Sequence, residues 1–422
     1  MNSNIKEAIK FAGDVSLRKI EIVGSNNFAV DISKQIAQIN VYEDLFSPFI
    51  TMSIVVRESV DFVSALPLRG EEYINVEIAT PSFTEQEQII KGRFYVYKLS
   101  DRTEVSKKSI VYVLHCISYE AITDMNIKSS KAYRGKPSEI AAELIAQFAS
   151  TKKTNIEEAS NSVKYISNYW SPVKNLNYVA SLAINSNKSP TYLFFENRYG
   201  FNFLSLESLY DSDLAQSFVK DDYSRDVDGR GRSFKNIDED YKRILDIKIK
   251  SVYDSMENIP NGTYASRMIS FDFLKKKYNV KDYNVLDKYT TQKHLNKNSL
   301  ISEYKPASPV NAIYNQTKHF AMFDGFTDTS ASRYLQERTS LIQLLQSNVV
   351  EITVLGRTDY TVGQKVYLKI PKATPLAEKD STDDAIDPTY TGYYIITAMN
   401  HNIDREKHEI TMELSKDSYI GK

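Results

Sequence analysis

Five histidines and a single cysteine bound the chemistry open to this 422-residue chain. His115 and Cys116 are adjacent in Ser109 to Ser118 (SIVYVLHCIS), an apolar run that reads as a strand. Strand neighbours point to opposite faces, so a packed core histidine is expected rather than a thiolate and its base. His401 and His408 flank a turn at Asp404-Arg405 and can face each other across a hairpin. A metal there would need a third ligand at tetrahedral geometry, and nothing nearby insists on one; paired surface histidines are expected. Asp226-Val227-Asp228-Gly229 faintly suggests a calcium loop, but its first and twelfth positions would be Ser224 and Lys235, so a solvated turn is expected. Glu157-Glu158 and Asp383-Asp384 are neighbours in sequence, which is no evidence for a glycosidase pair. The basic run Lys275 to Lys277 and the acidic loop Glu378, Asp380, Asp383, Asp384 and Asp387 read as solvated faces. No Gly-rich phosphate loop, G-x-S-x-G elbow or H-E-x-x-H occurs in the sequence. The chain therefore yields no catalytic, cofactor-binding or metal-ligating residue, and no enzymatic activity or cofactor is expected.

Composition points the same way. Lys plus Arg number 53 and Asp plus Glu 54, a net charge of -1, without the basic excess of a protein that grips nucleic acid. One cysteine excludes an intramolecular disulfide and fits assembly in a reducing cytoplasm. The charged start lacks a signal-peptide core, and no stretch approaches the ~18 apolar residues of a membrane helix, so no membrane partner is expected. The 29 tyrosines against one tryptophan suit either an interface-rich or simply a tyrosine-rich β protein.

The elements that would position these residues are mostly strands. Phe49 to Val56 is a short apolar run, Tyr73 to Thr80 alternates with period two, and Gly92 to Leu99 with Ser109 to Ser118 reads as a hairpin around polar Ser100–Lys108. A helical middle follows. Pro137 opens one helix with Ile140, Leu144, Ile145 and Phe148 on one face, and Ser171-Pro172 opens another with Leu176, Val179, Ala180, Ala183 and Ile184. Tyr192 to Glu196 and Phe201 to Leu206 flank the turn Asn197 to Gly200. Residues 211–240 read as a polar loop, and Leu245 to Lys250 as a strand with Leu245, Ile247 and Ile249 inward. A helix over Ser330 to Gln346 precedes strands at Val349 to Leu355, Lys365 to Ile370, Gly392 to Asn400 and Glu409 to Ser415.

The first and last β segments answer one another. Leu68 to Ile78 aligns with Tyr360 to Ile370 with one gap, each then meets a proline (Pro81, Pro371), and Gly92 to Leu99 aligns with Gly392 to Met399 position for position. One β unit built twice, with a helical insertion between, is the physical meaning. In a three-fold ring, two such units per chain present six around the axis.

Gly363 to Leu368, Gly392 to His401 and Glu409 to Asp417 resemble the second tube domain of contractile-tail baseplate hub proteins. That family includes the T-even phage hub subunit and the N-terminal part of VgrG spikes. Asn168-Tyr169-Trp170-Ser171-Pro172 resembles the helix start between the family's tube domains. The resemblance implies an α+β, mainly β fold: an amphipathic segment at 1–15, tube-type β-barrel domains at 16–120 and 335–422, an inserted α/β region at 121–240, and 241–334 completing the insertion and second domain. It implies a homotrimeric adapter between a six-fold tail tube and a three-fold central spike. The partners would be the spike, the tube or its initiator, the tape-measure protein, and DNA passing without specific binding. The site would be the virion baseplate, assembled in the host cytoplasm. The chain stops soon after its last strand, which suggests a spike on a separate chain; Ile5 to Ala12 and residues 275–305 have no family counterpart. A channel wall in which acidic side chains at least balance basic ones is expected, since a basic wall would hold DNA. A tail-borne glycan or cell-wall hydrolase and a carbohydrate-binding module are the competing readings.

Overall fold

The computed structural model describes residues 8–24, 27–58, 68–83, 85, 88–106, 109–220, 236–273, 276–301, 311–316, 318–319, 327–328, 331–372, 386–405 and 407–420. It opens with seven strands: β1 (Ser16–Val23), β2 (Ala29–Asp31), β3 (Ile36–Asp44), β4 (Thr51–Glu58), β5 (Tyr73–Ala79), β6 (Ile89–Ser106) and β7 (Ser109–Ser118). The insertion runs α1 (Glu120–Asn126), β8 (Ala132–Gly135), α2 (Pro137–Ala146), β9 (Lys153–Ile156), β10 (Val163–Ile166), α3 (Pro172–Leu182), β11 (Tyr192–Asn197), β12 (Gly200–Ser205), α4 (Leu206–Tyr210) and β13 (Leu214–Val219). There follow β14 (Ile244–Ser251), β15 (Ala265–Asp272), β16 (Lys277–Asn284), β17 (Asn298–Ser299), β18 (Asn311–Gln316), β19 (Lys318–His319), β20 (Thr327–Asp328) and α5 (Ala331–Gln346). The last strands are β21 (Asn348–Leu355), β22 (Lys365–Lys369), β23 (Gly392–Asp404), β24 (His408–Lys416) and β25 (Ser418–Tyr419). The fold is α+β and mainly β.

Thirteen strands form one sheet with the order β14-β21-β24-β23-β3-β4-β7-β6-β5-β1-β2, to which β22 and β13 attach alongside β23. Its two halves share one plan. The first is ordered β3-β4-β7-β6-β5-β1, the second β14-β21-β24-β23-β22-β13. Correspondence reaches individual residues. Gly92 lies opposite Val76 and Gly392 opposite Leu368, as the aligned sequences require. A bulge interrupts β6 between Val96 and Lys98, and another interrupts β23 at the corresponding step, between Ile396 and Ala398. Gly70 and Gly363, leading into β5 and β22, both take left-handed backbone at φ 87° and 85°, which glycine adopts without steric cost.

Two separate barrels were expected; among the described residues no closed barrel is found. β3 pairs antiparallel with β23 from Ala398–Asp44 to Asp404–Gln38, so the halves merge instead of closing. β23 can do this because it is long: its first part pairs with β22, its second part with β3, and β24 lies along its other edge.

Other expectations change at the ends. Ser100 to Ser106, read as loop, continues β6, because the hairpin arm keeps pairing with β7 as far as Ser106–Ser109. Residues 214–219, read as polar loop, form β13, parallel to β22; only Phe218 of this strand is fully buried, so its apolar signal is weak. In β14, Ile247 packs on the core but Ile249 is 44% exposed rather than inward. Helices α2 and α3 form where expected, and Ser171 Oγ accepts from the Lys174 N–H at the start of α3.

The insertion is wedged against the sheet by β11 and β12, all of whose residues are buried. Tyr192, Phe194, Phe201 and Phe203 face a core with α2 and α3, while Leu193, Phe195 and Leu204 face the core of the second half. Gly200 makes the closest approach: a Cβ there would sit 2.1 Å from the Lys153 carbonyl oxygen, and its φ is 133°. Gly200→Ala should lower unfolding stability by ~2 kcal/mol or more, measured in denaturant, because backbone must shift to admit the methyl.

Candidate functional site

The continuous sheet has one apolar and one solvated face. Around the junction of its halves, Ile39, Val41, Met52, Ile54, Ile352, Ile403, Ile410 and Met412 are buried. Alternate residues on the same strands stay accessible, as period-two geometry requires. The accessible row bears Asp44, Asp246, Glu351, Asp404, Glu409 and Glu413 with Arg57, Lys98, Lys248 and Lys250, and it continues with Glu21 and Glu77 among Lys19, Lys91, Arg93, Lys365 and Lys369 on the outer strands. Lys250 Nζ bridges Glu351 (2.7 Å) and Glu413 (3.1 Å) across neighbouring strands. Amides knit the seam on this face: Gln38 Nε2 donates to Asn402 Oδ1 at 2.8 Å, and Asn400 Nδ2 to Asn40 Oδ1 at 3.4 Å. The strands thus carry a polar surface of mixed charge, with the apolar residues turned away.

Beneath the seam lie polar groups that sequence reading missed. Glu43 on β3 is buried, accepts from the Thr361 hydroxyl and, at 3.2 Å, from the Val362 N–H. Burial pushes its carboxyl up to about 7, against the pull of the Thr361 hydroxyl and the Arg198 charge. Nearby, Lys152 Nζ lies 2.6 Å from both Glu120 and Glu196, and Glu196 in turn accepts from the Ile50 N–H. This cluster ties the insertion to β4. Charged residues scattered over positions 43, 120, 152 and 196 give no local pattern, so only the fold brings them together.

His401 and His408 are adjacent, Nδ1 to Nε2 at 2.9 Å, but fully buried rather than on the surface. The reason lies in two distant glycines. The Gly13 carbonyl accepts from the His408 N–H, and the Gly356 N–H donates to the His408 carbonyl; a Cβ on Gly356 would meet the His408 ring at 2.3 Å. Both imidazoles are held well below their ordinary range, by burial and, for His401, by the neighbouring ring and Arg198; His408 falls to about 3.

Among the described residues, the remaining candidates do not assemble into a reactive site. Cys116 is buried, and burial pushes its thiol far up; His115, on the opposite face, meets Ser100 Oγ at 2.9 Å. Glu157 accepts from the Ser205 N–H and hydroxyl, whereas Glu158 pairs with Lys136 at the surface. Asp387 accepts from the Thr389 N–H. Lys276 and Lys277 are exposed. Ser224, Asp226, Asp228, Lys235, Lys275, Glu378, Asp380, Asp383 and Asp384 lie outside the described residues. Among the described residues, no group of three His, Cys, Asp or Glu could hold a metal, and no helix is long and apolar enough to cross a membrane.

The two kinds of buried group give opposite pH dependences. Glu43, raised above its ordinary 4.5, favours folding below that value and loses its contribution as pH rises through about 7. His408, lowered from 6.5, contributes above that value and loses it as pH falls toward about 3. Glu43→Gln should therefore raise the unfolding midpoint at pH 8, with the gain shrinking by pH 5. His408→Gln should flatten the acid limb in denaturant melts across pH 7 to 4.

No family model matches the chain, and neither does any curated protein. Solved structures do. A tail protein from Neisseria meningitidis MC58 superposes over 94% of this chain and 96% of its own, at 12% identity and a TM-score of 0.56. The 43 kDa tail protein of prophage MuSo2 from Shewanella oneidensis superposes over 95% of this chain and 99% of its own, at 10% identity and a TM-score of 0.57. The chain has the fold of these two tail proteins over nearly its whole length, in keeping with the family resemblance read from its sequence.

Proposed function

We propose that the protein is the structural hub of a contractile tail or related injection system, a homotrimeric adapter joining a six-fold tail tube to a three-fold central spike. The observation that carries this reading is the duplicated strand order held in one continuous sheet. Two like units fused in one chain let three chains offer six like positions to one neighbour and three to another. The tube-type domains would be 16–120 and 335–422, the latter completed by β14, with 121–240 and the rest of 241–334 packed outside the ring. The solvated face of the sheet would line the channel. Its acids and bases are interspersed, which suits a conduit through which DNA and the tape-measure protein pass without being held. The spike, the tube or its initiator, and the tape-measure protein are the proposed partners, the virion baseplate the location and the host cytoplasm the place of assembly. No catalytic step is proposed.

Light scattering should give about 145 kDa for three 48.3-kDa chains, alone or with spike protein present. A monomer under both conditions overturns the reading. The assembled trimer should also fail to retard duplex DNA at physiological salt; tight, salt-sensitive binding would contradict a conduit.

A further inference from the structure

The two halves of the sheet are alike in sequence and strand order but not in what covers them. In the second half, the far part of β23 is paired on both sides, by β24 and by β3. The corresponding part of β6, from Leu99 to Ser106, is paired by β7 alone among the described residues. In the first half, β3 lies between β4 and β23. Its counterpart β14 is paired by β21, and no strand lies along its other edge among the described residues. Each half thus lacks the partner that the other half has found. Burial records the difference: Val41 on β3 is 1% exposed, and Ile249, its counterpart on β14, is 44% exposed.

We infer that β14 of one copy of this chain adds antiparallel to the outer half of β6 of a second copy, repeating between chains the β3–β23 junction found within one. The inference rests on the ring reading above and names the contact that would close it. The register follows from the strand pairings. Ile54 and Ile352 are counterparts on β4 and β21, and they lie opposite Ile39 and Ile247, so Asn40 corresponds to Lys248 and Val41 to Ile249. Ser100 corresponds to Asn400. After it β6 carries one extra residue around Asp101, whose φ is 56°, so Thr103 corresponds to Asn402. Asn402 lies opposite Asn40 within the chain; Thr103 therefore lies opposite Lys248 between chains.

Three features suit this partner. Both strand segments are open on one edge among the described residues, and a bare edge is a template for another strand. Apolar side chains left in water on them, Ile249 and Val105, would be covered. The exposed charges are complementary on balance: Lys248 and Lys250 outnumber Asp246 on β14, and Asp101 and Glu104 outnumber Arg102 on β6. Such charges also resist promiscuous edge pairing and favour the one complementary register.

Cross-strand neighbours lie close enough for a disulfide. The full chain carrying Thr103→Cys and Lys248→Cys, oxidised with and without spike protein, should give a ladder of covalent oligomers on non-reducing gels, ending at three chains and collapsing on reduction. Neither single variant should give that ladder. Ile249→Asp, at an exposed position, should weaken self-association roughly tenfold while leaving the unfolding midpoint unchanged. A trimer by light scattering that neither cross-links through these positions nor responds to Ile249→Asp overturns this contact and leaves the ring reading standing. A chain that stays monomeric with spike present, and does not cross-link, overturns both.

Discussion

The antiparallel ladder between β3 and β23 is the interaction on which the rest of the architecture depends. It turns two hairpin-rich units into one sheet and fixes their relative register, since a slip of one residue would turn every side chain to the wrong face. With the ladder in place, Ile39 and Val41 share a buried face with His401 and Ile403, while Gln38, Asn40, Asn400 and Asn402 share the solvated one. The same ladder sets where the insertion can sit, because β11 packs beside β3 and donates its residues to the core of the second half.

Polar groups buried at this seam act as position-specific constraints. Glu43 meets the turn that begins β22, and Lys152 bridges helix α1 to strand β11. The imidazole pair closes over the N-terminal segment through Gly13. Removing one member of such a cluster strands its partner away from water, which costs more than the net worth of the contact. The seam is therefore held by apolar burial but specified by hydrogen bonds.

Strand periodicity, helix starts and the internal repeat were legible in the sequence because each is a local pattern: alternation in Tyr73 to Ala79, proline after a capping residue at Ser171-Pro172, matched runs after Gly92 and Gly392. What escaped was non-local. Nothing in Leu214 to Val219 announces a strand, since its partner β22 lies far along the chain and supplies the burial. The exposed end of β6 looks like a loop because all but Val105 of its side chains are polar, yet backbone pairing with β7 continues. The histidines looked like surface residues because the glycines that admit them, Gly13 and Gly356, are remote in sequence. Tube-type barrels were expected from the family resemblance, and the pairing that joins the two halves links residues at opposite ends of the chain.

The likeness between the halves is itself uneven, and the unevenness is informative. It holds in strand order and direction through β3-β4-β7-β6 and β14-β21-β24-β23, including the bulge between Val96 and Lys98 and between Ile396 and Ala398, with one extra residue in β6 around Asp101. It fails at the outer strand, where β1 lies antiparallel to β5 but β13 lies parallel to β22. The first half could recruit its own preceding segment; the second is preceded by the insertion, which delivers β13 in the opposite direction. Four strands of each half thus keep one geometry, while the flanking strand is free to differ. In the proposed hub only the strands around the channel must repeat six-fold. The outer strand, which meets the insertion, is the place where two copies in one chain can diverge without disturbing that repeat.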